Sequence, residues 1–143
     1  MEHHLSALPL TLPAHLAVGI DLIEVERIAA TLARFGERFL QRVFTDAELA
    51  IVGRNPVRLA GRFAAKEACA KALGTGIDGP RWRELECLRD AAGKPQLRLH
   101  GLAAERALAL GWHSIDVSIS TTRRHGIALV VALGESAGTE PTP

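Results

Sequence analysis

Asp21, Arg62, Lys66, Glu67 and Lys71 are the residues whose types and spacing admit chemistry. The last four fall in GRFAAKEACAKALGTGI, residues 61–77, where three cations and one acid stand among small apolar residues. At about 100° per residue, Arg62 and Lys66 stack one turn apart on a helix, as do Glu67 and Lys71. The two rows cover roughly half the circumference. Ala64, Ala68 and Ala72 stack on the other half, flanked by Ala65 and Cys69. The pattern describes a helix that packs closely through a small-residue face and presents its charges on the face opposite. That charged face has two readings. One is a solvated surface with a Glu67–Lys71 pair, contributing roughly a few tenths of a kcal/mol. The other is a polyanion site, with cations for phosphates and a carboxylate whose place among them is that of a metal ligand. Mg²⁺ is held by one or two carboxylates, with phosphate oxygens and water completing its octahedron, so Glu67 needs a second acid. Asp21, the one charged residue of the apolar run AVGIDLI, is the candidate. A carboxylate there must be neutralised, hydrogen-bonded or metal-bound. Capping the helix that follows is its other reading.

Arg27, Arg34, Arg38 and Arg42 form a second feature, spaced seven, four and four apart and so on one helical face. Ile28, Leu32, Phe35, Phe39 and Val43 make the adjacent apolar face. Such a row is either a solvated surface or a docking face for an acidic protein, since arginine forks recognise carboxylates and phosphates. Aromatic interleaving of the kind that holds single-stranded nucleic acid is missing, because there is no Tyr and both Trp lie elsewhere. With 17 basic and 16 acidic residues no global field points to nucleic acid either. The chain has no Gly-rich phosphate loop of either common kind and no nucleophile elbow. Its six histidines lack metal-ligand spacing. Cys69 and Cys87, eighteen positions apart, read as buried reduced thiols. No apolar run reaches membrane-spanning length and the start does not resemble a signal peptide, so the expectation is a cytoplasmic protein with no membrane partner.

The elements that must position these residues are legible from periodicity and punctuation. At 143 residues the chain is expected to be one domain with a real core. A buried strand is predicted over residues 17–23, then helix over 24–44 with an interruption near Gly36. Thr45 and Glu48 form a capping box, Asn55-Pro56 opens the long helix, and Gly74 ends it. Two strands follow in LECLRDAAGKPQLRLHG around a turn at Ala92 to Pro95, then a helix closed by Gly111. SIDVSIS and GIALVVAL complete a hairpin across TTRRH. The fold class is α+β, a single domain with helices packed on one antiparallel-rich sheet. Residues 1–16 read as an arm, 17–133 as the domain and 134–143 as a disordered tail.

VGIDLIEVERI, GRFAAKEACAKALGTGI, GKPQLRLHG and DVSIS, in this order, resemble holo-acyl-carrier-protein synthase, of the 4'-phosphopantetheinyl transferase superfamily. The resemblance runs from Val18 to Leu133, and its specific part is F-A-x-K-E-A-x-x-K-A-x-G-T-G-I downstream of G-x-D. It implies the fold of that superfamily and transfer of the phosphopantetheine arm of coenzyme A to a serine of apo acyl carrier protein. The reaction releases adenosine 3',5'-bisphosphate, depends on Mg²⁺ and supports fatty acid biosynthesis. The resemblance further implies a homotrimer with coenzyme A between subunits. By position it places Asp21 and Glu67 on the metal carboxylates and Lys71 at the reacting pyrophosphate. Arg62, Lys66 and Gly74 fall with the coenzyme A contacts. Arg27 falls on a carrier-docking arginine, in a row that Arg34, Arg38 and Arg42 continue.

Asp21, Glu67 and Lys71 are then the catalytic set, and no covalent enzyme intermediate is needed. The base for the serine proton is Glu67 or a water or hydroxide on the metal. Where some members carry histidine after the VSIS-like strand, this chain has Thr121, then Thr122 and Arg123. Arg123 or Arg124 is the substitute left for holding the 3'-phosphate. A tyrosine frequent nearby is His125, and the amino-terminal arm is longer than the family's short start. The competing reading is a non-catalytic binding module for coenzyme A or carrier protein. A basic-helix nucleic-acid binder is a third, resting on the arginine row alone.

Overall fold

Small residues on two neighbouring strands set the architecture. The computed structural model describes residues 14–74 and 81–135. β1 (Ala14–Glu24) alternates Leu16, Val18, Ile20 and Leu22, which are 49–60% exposed, with Ala17, Gly19, Asp21 and Ile23 on the other side. It pairs antiparallel with β5 (His125–Glu135), Asp21 standing opposite Ala128. The buried side of β5 is Gly126, Ala128, Val130, Ala132 and Gly134. Against this shallow surface lies α4 (Pro56–Leu73), through Gly61, Ala64, Ala65 and Ala68. The approach is so close that a Cβ on Gly19 would sit 1.8 Å from the Ala68 carbonyl oxygen. At Gly126 a Cβ would come within 2.9 Å of the α4 backbone at Ala60 and Gly61.

The order along the chain follows the predicted punctuation. α1 (Val25–Phe35) stops at Gly36, whose φ of 53° and ψ of −129° suit glycine. α2 (Glu37–Val43) starts directly after it. Thr45 and Glu48 cap α3 (Asp46–Val52) reciprocally, as the capping box requires. Asn55 Oδ1 accepts the Val57 and Arg58 N–H groups to open α4, and Gly74, at φ 70°, closes it. A 3₁₀ turn (Trp82–Glu84) leads into the hairpin of β2 (Leu85–Arg89) and β3 (Pro95–Leu99). α5 (Gly101–Ala109) and then β4 (Trp112–Thr121) follow before β5.

The α+β class holds, but the strands form two antiparallel sheets rather than one: β1-β5-β4 and β2-β3. Two further boundaries differ. Residues 14–16 and 134–135, assigned from sequence to arm and tail, are strand, because Ala14, His15 and Leu16 pair with Glu135, Gly134 and Leu133. The remainder of both segments lies outside the described residues, as do Thr75 to Ile77 of the long motif. Phe35, expected on the apolar face of the first helix, is 47% exposed.

α4 divides two cores. One joins it to the three-stranded sheet, β2 and α5, and holds both free cysteines. Burial pushes the Cys69 thiol up to about 12 and the Cys87 thiol to about 11, so both are inert. The other lies beneath α1, α2 and α3 around Leu40, Phe44 and Leu59. The Gly19 contact carries a testable consequence: Gly19→Ala cannot be absorbed by a side-chain adjustment, since the atom it meets is backbone. β1 must lift from α4, and Asp21, two residues on, moves with it. We expect Gly19→Ala to lower Tm by about 4 °C or more, on the order of an overpacking cost of 1–3 kcal/mol. It is also expected to reduce turnover of the reaction proposed below beyond any loss of folded protein. A variant with parental Tm and turnover would contradict this.

Candidate active site

Asp21 sits mid-strand on the side of β1 that faces α4, so the chain brings it to Glu67 and Lys71 across the Gly19–Ala68 contact. Its side chain is 14% exposed. Lys71 Nζ donates to Asp21 Oδ1 at 2.9 Å and to the Ile20 carbonyl at 3.0 Å. The expected one-turn pair between Glu67 and Lys71 is replaced by this cross-element pair. Lys71 remains 56% exposed along its side chain, and its hydrogen bond to Asp21 with the charge of that carboxylate holds its ammonium above the usual lysine range.

The other Asp21 oxygen, Oδ2, is buried and has no hydrogen-bond partner. Glu67 opens into the same cleft, a space of about 390 Å³ also lined by Arg27, Thr31, Phe39 and Phe63. Burial raises the Glu67 pKa first, the neighbouring Asp21 charge raises it further, and Lys71 opposes both. Two carboxylates, one with a buried unsatisfied oxygen and the other disfavoured as an anion by burial and then by its neighbour, fit a divalent cation. Among the described residues no group of three or more His, Cys, Asp or Glu is gathered to hold a metal. Two carboxylates are the number with which Mg²⁺ is held where ligand oxygens and water complete its octahedron.

The raised Glu67 pKa fixes the sign of a pH effect in the metal-free protein. Native Glu67 keeps its proton to higher pH than unfolded Glu67, so stability is highest below the ordinary glutamate range and falls as pH rises through the native value. Glu67→Gln removes that loss. It is expected to raise Tm by about 1–2 °C at pH 7 and to leave it unchanged at about pH 3.5. A lower Tm at pH 7 without metal would show Glu67 to be stabilised as an anion.

The structure does not bring Lys66 to this cleft. Its side chain is wholly buried, about 100° around α4 from Glu67, where Nζ donates to Glu48 Oε1, the Trp82 carbonyl and the Leu85 carbonyl. The expectation that it approaches coenzyme A phosphates is corrected: all three ammonium protons are taken up inside the protein. Burial lowers the Lys66 pKa and raises that of Glu48, each opposed by the charge of the other. Arg62, in the same sequence row, is partly exposed with Nε buried and unpaired. Gly74 is exposed beyond Lys71, and its N–H is engaged with the Lys71 carbonyl at 3.0 Å as a helix stop.

The arginine row divides between two helices at Gly36, with Arg27 and Arg34 on α1 and Arg38 and Arg42 on α2, all exposed. Arg38 and Arg42 flank a second cleft of about 320 Å³ with Phe35, Thr31 and Phe39. Thr31 and Phe39 line both clefts, so Arg27, Arg38 and Arg42 border one trough with Asp21 and Glu67 at one end. Arg34 lines neither, and its guanidinium lies over the Phe35 ring at 5.0 Å. Thr121 ends β4 against α4, its Cγ2 standing 3.0 Å from where a Gly61 Cβ would be. Arg123 and Arg124 are exposed in the turn that follows.

Nothing in the sequence marks Thr31 or Phe63 as lining residues, and Phe39 reads only as part of the apolar helix face. Glu48 reads in the sequence as a cap, and nothing local marks it as the partner of Lys66. The small-residue stripe of the long helix signals its side of the close strand–helix approach, and the glycine of G-x-D marks the strand side.

Comparison with known proteins finds relatives over most of the chain. Residues 17–130 match the model of the 4'-phosphopantetheinyl transferase superfamily. The holo-[acyl-carrier-protein] synthase of Solidesulfovibrio magneticus is 55% identical over 119 residues, covering 82% of this chain and 97% of that protein. That of Halorhodospira halophila is 47% identical over 118 residues, covering 80% and 94%. Among solved structures, the holo-[acyl-carrier-protein] synthase of Neisseria meningitidis superposes with a TM-score of 0.74 at 35% identity, covering 81% of this chain and 96% of that one. The Helicobacter pylori enzyme in complex with coenzyme A gives 0.73 at 30% identity, covering 80% and 98%.

Proposed function

The chain belongs to the 4'-phosphopantetheinyl transferase superfamily, and from that premise we propose that it is a holo-[acyl-carrier-protein] synthase whose reacting centre is Asp21, Glu67 and Lys71. It transfers 4'-phosphopantetheine from coenzyme A to a serine of apo acyl carrier protein. The serine Oγ forms a bond to the β-phosphorus, the bridging P–O bond breaks, and adenosine 3',5'-bisphosphate leaves. The observation that carries the assignment is the buried, unpartnered Asp21 Oδ2 beside Glu67 and Lys71.

Phosphoryl transfer of this kind depends on positioning and charge stabilisation rather than on covalent chemistry by the protein. Asp21 and Glu67 would hold Mg²⁺. When bound, Mg²⁺ supplies charge neutralisation and orientation of the pyrophosphate oxygens. Lys71, exposed and paired to Asp21 through one carboxylate oxygen, offsets charge on the departing phosphate. Arg62, partly exposed in the Lys66 row, is the remaining cation of that row for a coenzyme A phosphate. Arg27, Arg38 and Arg42 border the trough by which an acidic carrier would deliver its serine. Glu67 is the residue placed to take the serine proton.

The exposed apolar row of β1, with Ile127, Leu129 and Leu133 of β5 beside it, is the surface we assign to self-association as a homotrimer. Sedimentation equilibrium returning a monomer at micromolar concentration would remove that part. The reaction itself is tested by chromatography of the nucleotide products. Adenosine 3',5'-bisphosphate is expected only when coenzyme A, apo carrier and Mg²⁺ are all present. Coenzyme A left intact alongside measurable binding would favour the non-catalytic module.

A further inference from the structure

Lys66 and Glu48 form an ion pair with neither side chain exposed, at a separation of 2.6 Å. A network spreads from it. Lys66 Nζ also donates to the Trp82 carbonyl at 3.0 Å and the Leu85 carbonyl at 2.9 Å. Glu48 Oε1 accepts the Thr45 N–H at 3.1 Å. Thr45 Oγ1 donates to Glu86 Oε2 at 2.6 Å, and Glu86 Oε1 meets His100 Nε2 at 3.1 Å. Through these contacts α4 is tied to α3, to the 3₁₀ turn, to β2 and to the residue that caps α5.

A buried ion pair is a poor source of net stability, because apolar replacements of similar volume are often neutral or better. Its distinguishing property is direction. α4 needs direction here, since the face it lays on the sheet is Gly61, Ala64, Ala65 and Ala68, all buried and all small. Such a face permits close approach but gives few side-chain ridges to fix the roll of the helix. Away from the sheet, Lys66 donates to fixed acceptors, Glu48 Oε1 and the carbonyls of Trp82 and Leu85. Glu67 is the next residue, so the roll that satisfies Lys66 also sets the direction in which Glu67 enters the cleft. Trp82, whose carbonyl Lys66 holds, lays its ring against Phe63 at 5.2 Å, and Phe63 lines the carboxylate cleft.

We propose that the buried Lys66–Glu48 pair is a positioning pair for the reaction, fixing the roll of α4 and thereby the placement of Glu67 and Phe63 relative to Asp21. The inference rests on the metal–phosphate reading of Asp21 and Glu67.

Two variants separate positioning from stability because they move the two quantities in opposite directions. Lys66→Met with Glu48→Leu removes the directional contacts and keeps volume. It is expected to unfold within a few degrees of the parent, while kcat falls tenfold or more and the KM for carrier stays within about twofold. Mn²⁺ titration by electron paramagnetic resonance, with coenzyme A present, is expected to show at least a fivefold weaker metal site. Glu48→Gln keeps the hydrogen-bond geometry and leaves a buried charge uncompensated. It is expected to melt lower, yet to retain kcat and Mn²⁺ affinity within about threefold below its transition.

Activity that follows stability in both variants overturns the proposal. If the paired replacement does not fold, Glu48→Gln decides alone: kcat lost in fully folded protein is the contradicting result. Asp21→Ala, run alongside, keeps the two readings apart. Unchanged Mn²⁺ affinity and turnover in Asp21→Ala removes the carboxylate site itself. Loss there, with parental values in the paired replacement, removes only the positioning role.

Discussion

Asp21→Ala and Glu67→Ala are each expected to lower Mg²⁺-dependent transfer by about 10³-fold or more, the loss that follows when several kcal/mol of transition-state charge stabilisation is withdrawn. The fold should survive both changes. Asp21 carries one buried oxygen with no partner, and its pair with exposed, solvent-screened Lys71 is a weak source of stability. Glu67 carries no ion pair among the described residues. Circular dichroism and Tm within a few degrees of the parent are therefore expected beside near-complete loss of turnover. Raising Mg²⁺ to tens of millimolar should restore only a small part of the rate. Turnover within tenfold of the parent in either variant would take that carboxylate out of the metal site.

Charge reversal along the trough gives the second large effect. Arg38→Glu and Arg27→Glu are expected to raise the KM for carrier protein by about tenfold or more while the KM for coenzyme A changes less than about twofold. The effect should shrink as salt is raised, because these side chains are exposed and screened. Arg34→Glu is expected to do less than either. Its guanidinium lies over Phe35 and borders neither cleft, although it belongs to the same sequence row. Equal rises in both KM values, or an Arg34 effect as large as that at Arg38, would contradict docking along the trough.

The contrast between Arg34 and Arg38 shows where sequence pattern stops. Spacing of seven, four and four put the arginines on one face of one helix. The break at Gly36 makes two helices, and only the packed helices decide which guanidiniums border the trough. Punctuation was fully legible: Thr45 with Glu48, Asn55-Pro56 and Gly74 each do locally what their residue types require. Asp21 and Glu67 were legible as a pair because a lone acid in an apolar strand and an acid among cations both need a reason.

Lys66 was misplaced for a physical reason. A helical net gives angles between side chains but not which arc of the helix faces the core. Arg62, Lys66, Glu67 and Lys71 span a half-turn that straddles the boundary between buried and exposed. The acceptors that make a buried lysine tolerable, Glu48 and the carbonyls of Trp82 and Leu85, lie 16–19 positions away and converge only in three dimensions. Division of the strands into two sheets was hidden for a similar reason, since alternation along a strand does not name its neighbour.

Transfer is read most directly from the intact mass of an apo acyl carrier protein after incubation with this protein, coenzyme A and Mg²⁺, with and without a chelator. A gain of one 4'-phosphopantetheine, abolished by the chelator and by Asp21→Ala, is the predicted result. An unchanged carrier mass in the complete mixture, with coenzyme A binding still measurable, would contradict it.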